Sequence, residues 1–209
     1  MPLDRASLLA CGVITGFGAV VNRAKVEPMS SCVIIGVGGV GLNAVQGAAI
    51  SGAYPVIAVD ISDKKLKAAK TFGATHTVNS SKKDPVKEIM GMIGGGADYA
   101  FITVGSTAAI MQGFSMLGPR GMAVIVGLPK FTDSLTLSPF MFIKDERVLT
   151  GSYMGTTQLQ TEIPKLVELY KGGILKLDEL ITARYPLEDI NKAIELVEKG
   201  EALRNVITF

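Results

Sequence analysis

The chain has 209 residues, 48% of them hydrophobic, and a formal net charge of +2 from 21 Lys and Arg against 19 Asp and Glu. That length carries one good core, or one domain with part of another, and the even mixture of charges argues against a nucleic-acid or membrane-surface partner. No apolar run is expected to reach the roughly 20 residues that span a bilayer. The start, Met1-Pro2-Leu3-Asp4-Arg5, lacks the basic and apolar regions of a signal peptide. Two cysteines, Cys11 and Cys32, make no disulfide framework, so a reducing, cytoplasmic setting is expected.

Residues 4–10 read as a helix, followed by Cys11-Gly12-Val13-Ile14-Thr15-Gly16-Phe17-Gly18 and a second helical run to residue 24. From residue 32 strand and helix alternate. The apolar strand Cys32-Val33-Ile34-Ile35 runs into a glycine turn and a helix over 40–51. The strand Val56-Ile57-Ala58-Val59 ends in Asp60 and leads to a basic helix over 64–72. A strand over 75–78, a helix over 85–93, a strand over 99–104, a helix over 107–117 stopped by Gly118-Pro119, and a strand over 122–126 follow. Residues 135–137 and 148–153 look extended around a turn or short helix at 139–143. The tail reads as a helix over 161–170, a strand over 181–185, a helix over 187–199 and a strand over 204–209. Alternation of this kind predicts an α/β fold with a parallel sheet covered on both faces. Right-handed crossovers make it doubly wound, with a ligand across the carboxyl ends of the strands at the switch point.

The glycine turn carries the spacing G-x-G-x-x-G at Gly36, Gly38 and Gly41. Gly36 permits the tight turn, Gly38 lets backbone approach a pyrophosphate, and Gly41 lets the helix pack close to the strand. The helix start offers unpaired N–H groups to phosphates. Asp60 lies about 20 residues on, where a carboxylate accepts the adenosine-ribose hydroxyls and repels a 2′-phosphate, favouring NAD over NADP. The bland alternative is that Asp60-Ile61-Ser62-Asp63 only caps the next helix.

Taken together, the chain resembles the zinc-dependent medium-chain alcohol dehydrogenases. The resemblance rests on Ala10-Cys11-Gly12-Val13-Ile14-Thr15-Gly16-Phe17-Gly18, Gly36-Val37-Gly38-Gly39-Val40-Gly41, Val59-Asp60-Ile61, Phe72-Gly73-Ala74-Thr75, Val124-Ile125-Val126-Gly127-Leu128-Pro129 and the ending Gly200-Glu201-Ala202-Leu203-Arg204-Asn205-Val206-Ile207-Thr208-Phe209. It implies a Rossmann domain with a six-stranded sheet and helices on both faces. It also implies that the separate catalytic domain at the start of family members is absent. The expected organisation is a helical lead-in over 1–25, the NAD-binding domain over 26–155, and a C-terminal segment over 156–209 that packs on the missing domain.

The resemblance also assigns roles. Cys11 matches a ligand of the catalytic zinc, whose other ligands belong to the missing domain. Thr15 matches a residue behind the nicotinamide ring. Gly36, Gly38, Gly39, Val40 and Gly41 match the phosphate turn, and Asp60 and Lys65 the adenosine-ribose contacts. Val126, Ser152 and Met154 match positions that hold the carboxamide, and Arg204 a pyrophosphate contact. Ile102 stands where the family often has Glu, which would alter the pocket floor. Cys32 and His76 read as structural, and the nine Met as core fillers. The implied activity is reversible hydride transfer between an alcohol or aldehyde and NAD in a zinc-dependent parent enzyme, with no catalytic group in this stretch alone. A zinc-free quinone oxidoreductase and a non-enzymatic NAD-binding module are the alternatives. Exposed Ile190, Ile194, Leu196 and Val197 would leave the tail disordered, self-associating or repositioned. A homodimer or homotetramer is expected to form through the sheet edge near residues 148–153.

Overall fold

The structure, a computed structural model, describes all 209 residues. Its centre is a six-stranded parallel sheet in the order β3-β2-β1-β4-β5-β6. The strands are β1 (Cys32–Ile35), β2 (Val56–Asp60), β3 (His76–Asn79), β4 (Ala97–Ile102), β5 (Leu117–Ile125) and β6 (Val148–Gly151). The expected doubly wound α/β architecture is present. All of β1 is buried, which is why it reads as an unbroken apolar run: both faces are covered. Its side chains alternate between two layers. Cys32 and Ile34 join Ala58, Phe101 and Val124 in one layer, while Val33 and Ile35 join Ile57, Val59 and Ile102 in the other.

Helices α3 (Gly41–Ile50) and α4 (Asp63–Thr71) cover the first layer, and α5 (Pro85–Ile93) and α6 (Thr107–Ser115) the second. Ile35 pairs in register with Val59 on one side and Ile102 on the other, so three strands end together. The connection reverses direction at β1, and this opens a crevice beyond those carboxyl ends.

Some boundaries differ from the sequence reading. β5 begins at Leu117, because Gly118 and Pro119 lie in a bulge that separates the Ala97–Leu117 pairing from Tyr99–Met122. Residues 135–137 form no strand; Leu135 and Leu137 alternate inward onto the second layer without a partner. A short helix α7 (Pro139–Asp145) precedes β6, the sheet edge. Met116 is core, but Met29, Met90 and Met92 are exposed, so the methionines are not uniformly fillers.

The largest difference is at the start. Residues Leu3–Ala24 form one helical run of 22 residues. It comprises α1 (Leu3–Leu8), a π-helical turn Leu9–Val13, α2 (Ile14–Gly18) and a second π-helical turn Ala19–Ala24. Cys11 to Gly18 therefore do not separate two helices. Packing overrides the low helix propensity of glycine here, since Gly16 lies directly against the backbone of Val40 and Ala44. The run is also long and apolar enough, by length and composition, to cross a bilayer, with half of that stretch buried in the fold. This corrects the expectation that no apolar run approaches such a length.

The tail carries regular secondary structure. Helix α8 (Leu159–Lys171) is followed by β7 (Ile181–Pro186), α9 (Ile190–Glu198) and β8 (Arg204–Thr208), and β7 pairs with β8 in parallel. Leu166, Leu175, Leu177 and Leu180 join the first layer. Ile190, Ile194 and Val197 form an exposed stripe on α9, with only Ala193 of that helix buried. Arg5 pairs with Asp4 and Asp178, Arg184 pairs with Asp4, and the Tyr170 hydroxyl donates to Asp178. This network ties the first helix to the tail.

Candidate functional site

The turn after β1 is fixed from several sides. Gly36 has φ +87, and its carbonyl accepts a hydrogen bond from the Thr103 hydroxyl. A Cβ on Gly41 would run into that same carbonyl. A Cβ on Gly38, by contrast, would meet nothing within 4 Å, so this stretch of backbone faces open space. The N–H groups of Gly38, Gly39, Val40 and Gly41 have no acceptor in the protein, whereas Val37 N–H donates to Asp60 Oδ2 at 2.9 Å. Unpaired N–H groups at the start of a 10-residue helix, with its dipole behind them, make an anion cradle.

Asp60 ends β2 beside this cradle. Its other oxygen accepts from Ser62 N–H at 3.0 Å. The cap of α4 is Ser62, whose hydroxyl accepts from Lys65 N–H, so Asp60 is not simply the helix cap. A carboxylate offers about four acceptor sites, and two backbone donors leave room for two hydroxyls.

Arg204, at the start of β8, supplies the cation. Its guanidinium is wedged between Gly12 and Gly39, where a Cβ on either residue would overlap it. It makes no ion pair and no side-chain hydrogen bond. Burial pulls its pKa down from the usual arginine range, opposed by the nearby Cys11, yet a guanidinium stays charged. Cys11 is exposed on the π-helical turn and shares a cleft of about 320 Å³ with Ser7, Gly12 and Arg204.

The turn after β6 packs on α2 on the other side of the crevice. Thr15 Oγ1 lies 3.9 Å from Met154 Sδ. Val126 and Ser152 are buried, with Ser152 N–H donating to Ile125 at 2.9 Å and Val126 N–H to Ile102 at 2.8 Å. Met154, Gly155 and Thr156 all have positive φ, at 49, 68 and 53, a left-handed turn that Asn22 holds through Gly155 O. Two non-glycine residues in this region mark backbone strain beside the crevice.

The comparisons with known proteins follow the same lines. The family model described as "Zinc-binding dehydrogenase" matches residues 39–172. The chain belongs to the zinc-binding dehydrogenase family. It is 40% identical to alcohol dehydrogenase 1 of Pisum sativum over 209 residues, covering 99% of this chain and 55% of that protein. Among solved structures, it superposes with a TM-score of 0.96 and 38% identity on an alcohol dehydrogenase zinc-binding domain protein from Burkholderia ambifaria, covering 100% of this chain and 56% of that one. Benzyl alcohol dehydrogenase from Acinetobacter calcoaceticus gives a TM-score of 0.96 at 36% identity, covering 99% and 57%. The chain thus spans about half the length of the relatives it matches.

In this zinc-binding dehydrogenase chain no three His, Cys, Asp or Glu side chains converge on one point. Cys11 is a single cysteine, and a catalytic zinc takes three protein ligands, so the residues present do not by themselves fit that metal. Lys65 is half-buried on α4, its Nζ beside Gly200, while neighbouring Lys64 reaches Glu201 O. Ile102 is fully buried and packs on Gly113 of α6, so it does not floor the crevice. Cys32 is buried, and burial pushes its thiol far up, with Asp98 adding to the effect. His76 is exposed at the β3 edge, 2.9 Å from the Thr75 hydroxyl.

The sequence reading missed the polar contacts behind the turn. Asn43 and Gln46 of α3 are buried, at 0% and 3% exposure. Asn43 Nδ2 donates to Gly39 O at 2.7 Å, Gln46 Nε2 donates to Asn43 Oδ1 at 2.7 Å, and Lys176 N–H donates to Gln46 Oε1 at 3.0 Å. Their one signal is two amide side chains three residues apart in an otherwise apolar helix.

Proposed function

We propose that this chain is the NAD(H)-binding part of a zinc-dependent alcohol dehydrogenase, acting in the whole enzyme on an alcohol or aldehyde. The observation that carries the reading is the set of four unpaired N–H groups from Gly38 to Gly41, with the unpaired Arg204 guanidinium against Gly39. A pyrophosphate satisfies both at once. The bound cofactor supplies hydride exchange at its nicotinamide.

This chain's residues bind and orient. Gly36, Gly38, Gly39, Val40 and Gly41 shape the phosphate turn. Asp60 receives the adenosine-ribose hydroxyls and repels a 2′-phosphate, with Lys65 at the rim. Thr15 backs the nicotinamide ring, and the backbone at Val126, Ser152 and Met154 receives its carboxamide. Cys11 contributes one zinc ligand, and the remaining ligands come from outside this stretch. We divide the chain as a lead-in over 1–25, the NAD-binding domain over 26–155 and a tail over 156–209. Assembly as a homodimer or homotetramer through the open β6 edge fits its place at the end of the sheet. Unpaired Cys11 and Cys32 fit a reducing cytoplasm.

Titration of the chain with NADH, read by nicotinamide fluorescence and run beside NADPH, tests this reading. Saturable NADH binding with NADPH at least about tenfold weaker is expected. Binding of neither, or of both equally, overturns it.

A further inference from the structure

The anion cradle depends on which way its peptide groups face, and nothing in the turn's own sequence fixes that at Gly39. The fixing comes from behind. Asn43 donates to the Gly39 carbonyl from one turn into α3, and that carbonyl is thereby drawn toward the helix interior. Asn43 is in turn held by Gln46, which pairs with the Lys176 peptide in both directions: Oε1 accepts from Lys176 N–H at 3.0 Å, and Nε2 donates to Lys176 O at 3.3 Å. The two carboxamides are buried, so each of these bonds forms where the unpaired alternative is expensive. A chain of alternating donors and acceptors therefore runs from the tail, through α3, to the turn.

We propose that Asn43 and Gln46 are positioning residues that keep the Gly39 carbonyl turned away from the phosphates, and that they make the turn's geometry depend on the docking of the segment around Lys176. The inference rests on the phosphate-binding reading given above. The ligand chemistry involved is the diphosphate alone. The tail then acts on one site by two routes: Arg204 supplies charge from β8, and the Lys176 peptide supplies alignment through Gln46. Without Gln46, Asn43 is free to rotate, and the Gly39 carbonyl can swing toward a bound phosphate, where acceptor faces acceptor.

The test uses ADP and adenosine as probes of the full chain. Isothermal titration of Gln46→Met and Asn43→Ser should show ADP binding weakened roughly tenfold, by the scale of one lost charge-assisted hydrogen bond. Adenosine, which lacks the phosphates, should bind each variant as it binds the parent. The Asn43→Ser/Gln46→Met double variant should be no worse than Asn43→Ser alone, because the two act in series. Backbone amide NMR shifts at Gly38 to Gly41 should move in Gln46→Met, which alters none of the four residues of that turn. Equal loss of ADP and adenosine, or additive losses, marks a merely structural role and overturns the proposal. So do unchanged ADP affinity and unchanged turn amides, which leave the phosphate-binding reading standing. If the parent chain binds no ADP, that reading fails, and this inference with it. Should Gln46→Met not fold, Asn43→Ser carries the comparison.

Discussion

Asp60 Oδ2 accepts the Val37 N–H at 2.9 Å, so the residue that ends β2 also fixes the first step of the turn after β1. Under the proposed function one carboxylate serves structure and recognition together. Replacing it by alanine strands two backbone donors, at Val37 and Ser62, and should cost about 1–3 kcal/mol of stability. NADH affinity should fall by about tenfold or more, and the gap between NADH and NADPH should narrow. Thermal melting and paired titrations read both effects. Retained NADH preference in Asp60→Ala would remove Asp60 from the ribose contact.

The glycines of the turn should separate stability from binding. Gly38→Ala meets no atom within 4 Å, and Gly38 does not have positive φ, so its melting temperature should stay close to the parent's. Its ADP affinity should nevertheless fall, because the methyl occupies the ligand's approach. Gly41→Ala drives a methyl into the Gly36 carbonyl and should destabilise by roughly 1–3 kcal/mol or more. Equal stability losses in both variants would contradict this account.

Arg204 should show the opposite trade. It is half-buried without a carboxylate partner, and desolvation lowers its pKa. Arg204→Met removes a desolvated charge and is expected to leave melting unchanged or raise it. ADP binding should weaken about tenfold and lose part of its salt dependence. A large drop in stability would mean that Arg204 is chiefly a packing residue.

The ion network at the start of the chain predicts acid behaviour. Hydrogen bonds from Arg5, then Arg184, hold the Asp4 carboxyl at about 2 against an ordinary value of 3.8. A lowered folded-state pKa stabilises above the ordinary value, and the contribution is lost as pH falls toward about 2. Asp4→Asn should therefore flatten the acid limb of stability against pH below about 4. An unchanged acid limb in denaturant melts would show that the pair contributes nothing there.

The two thiols should react differently. Cys11 is exposed and Cys32 buried. A disulfide reagent should titrate one thiol in the native chain and the second only on unfolding. With no group of three His, Cys, Asp or Glu side chains around Cys11, the chain should also surrender any bound zinc to a weak chelator. Both measurements use the same sample, and rapid reaction of Cys32 would indicate that β1 opens locally.

Much of this was legible because strands buried on both faces and helices with capped ends leave strong patterns. Cys32 to Ile35, the glycine spacing and Asp60 carry the switch point in plain view. Arg204 was different: nothing local marks it as a partner of Gly39, 165 positions earlier, and only the resemblance pointed to it. Asn43 and Gln46 were invisible because an amide on a helix looks the same in a sequence whether it meets water or a peptide group. The helix through Cys11 to Gly18 was misread since glycine's low propensity is local, while the contacts that overrule it come from α3 and the turn after β6. Leu135 and Leu137 alternate like a strand, but alternation cannot provide a neighbour to pair with.

The pairing of β7 with β8 has a dynamic consequence. Arg204 and the Lys176 peptide reach the turn only while the tail is seated, so transient undocking empties two of its supports. A ligand held only by the seated form then lowers the undocked population by the factor 1 + [L]/Kd. Amide hydrogens of Ala183 to Tyr185, on the strand that pairs with β8, would exchange with solvent more slowly when the crevice is full.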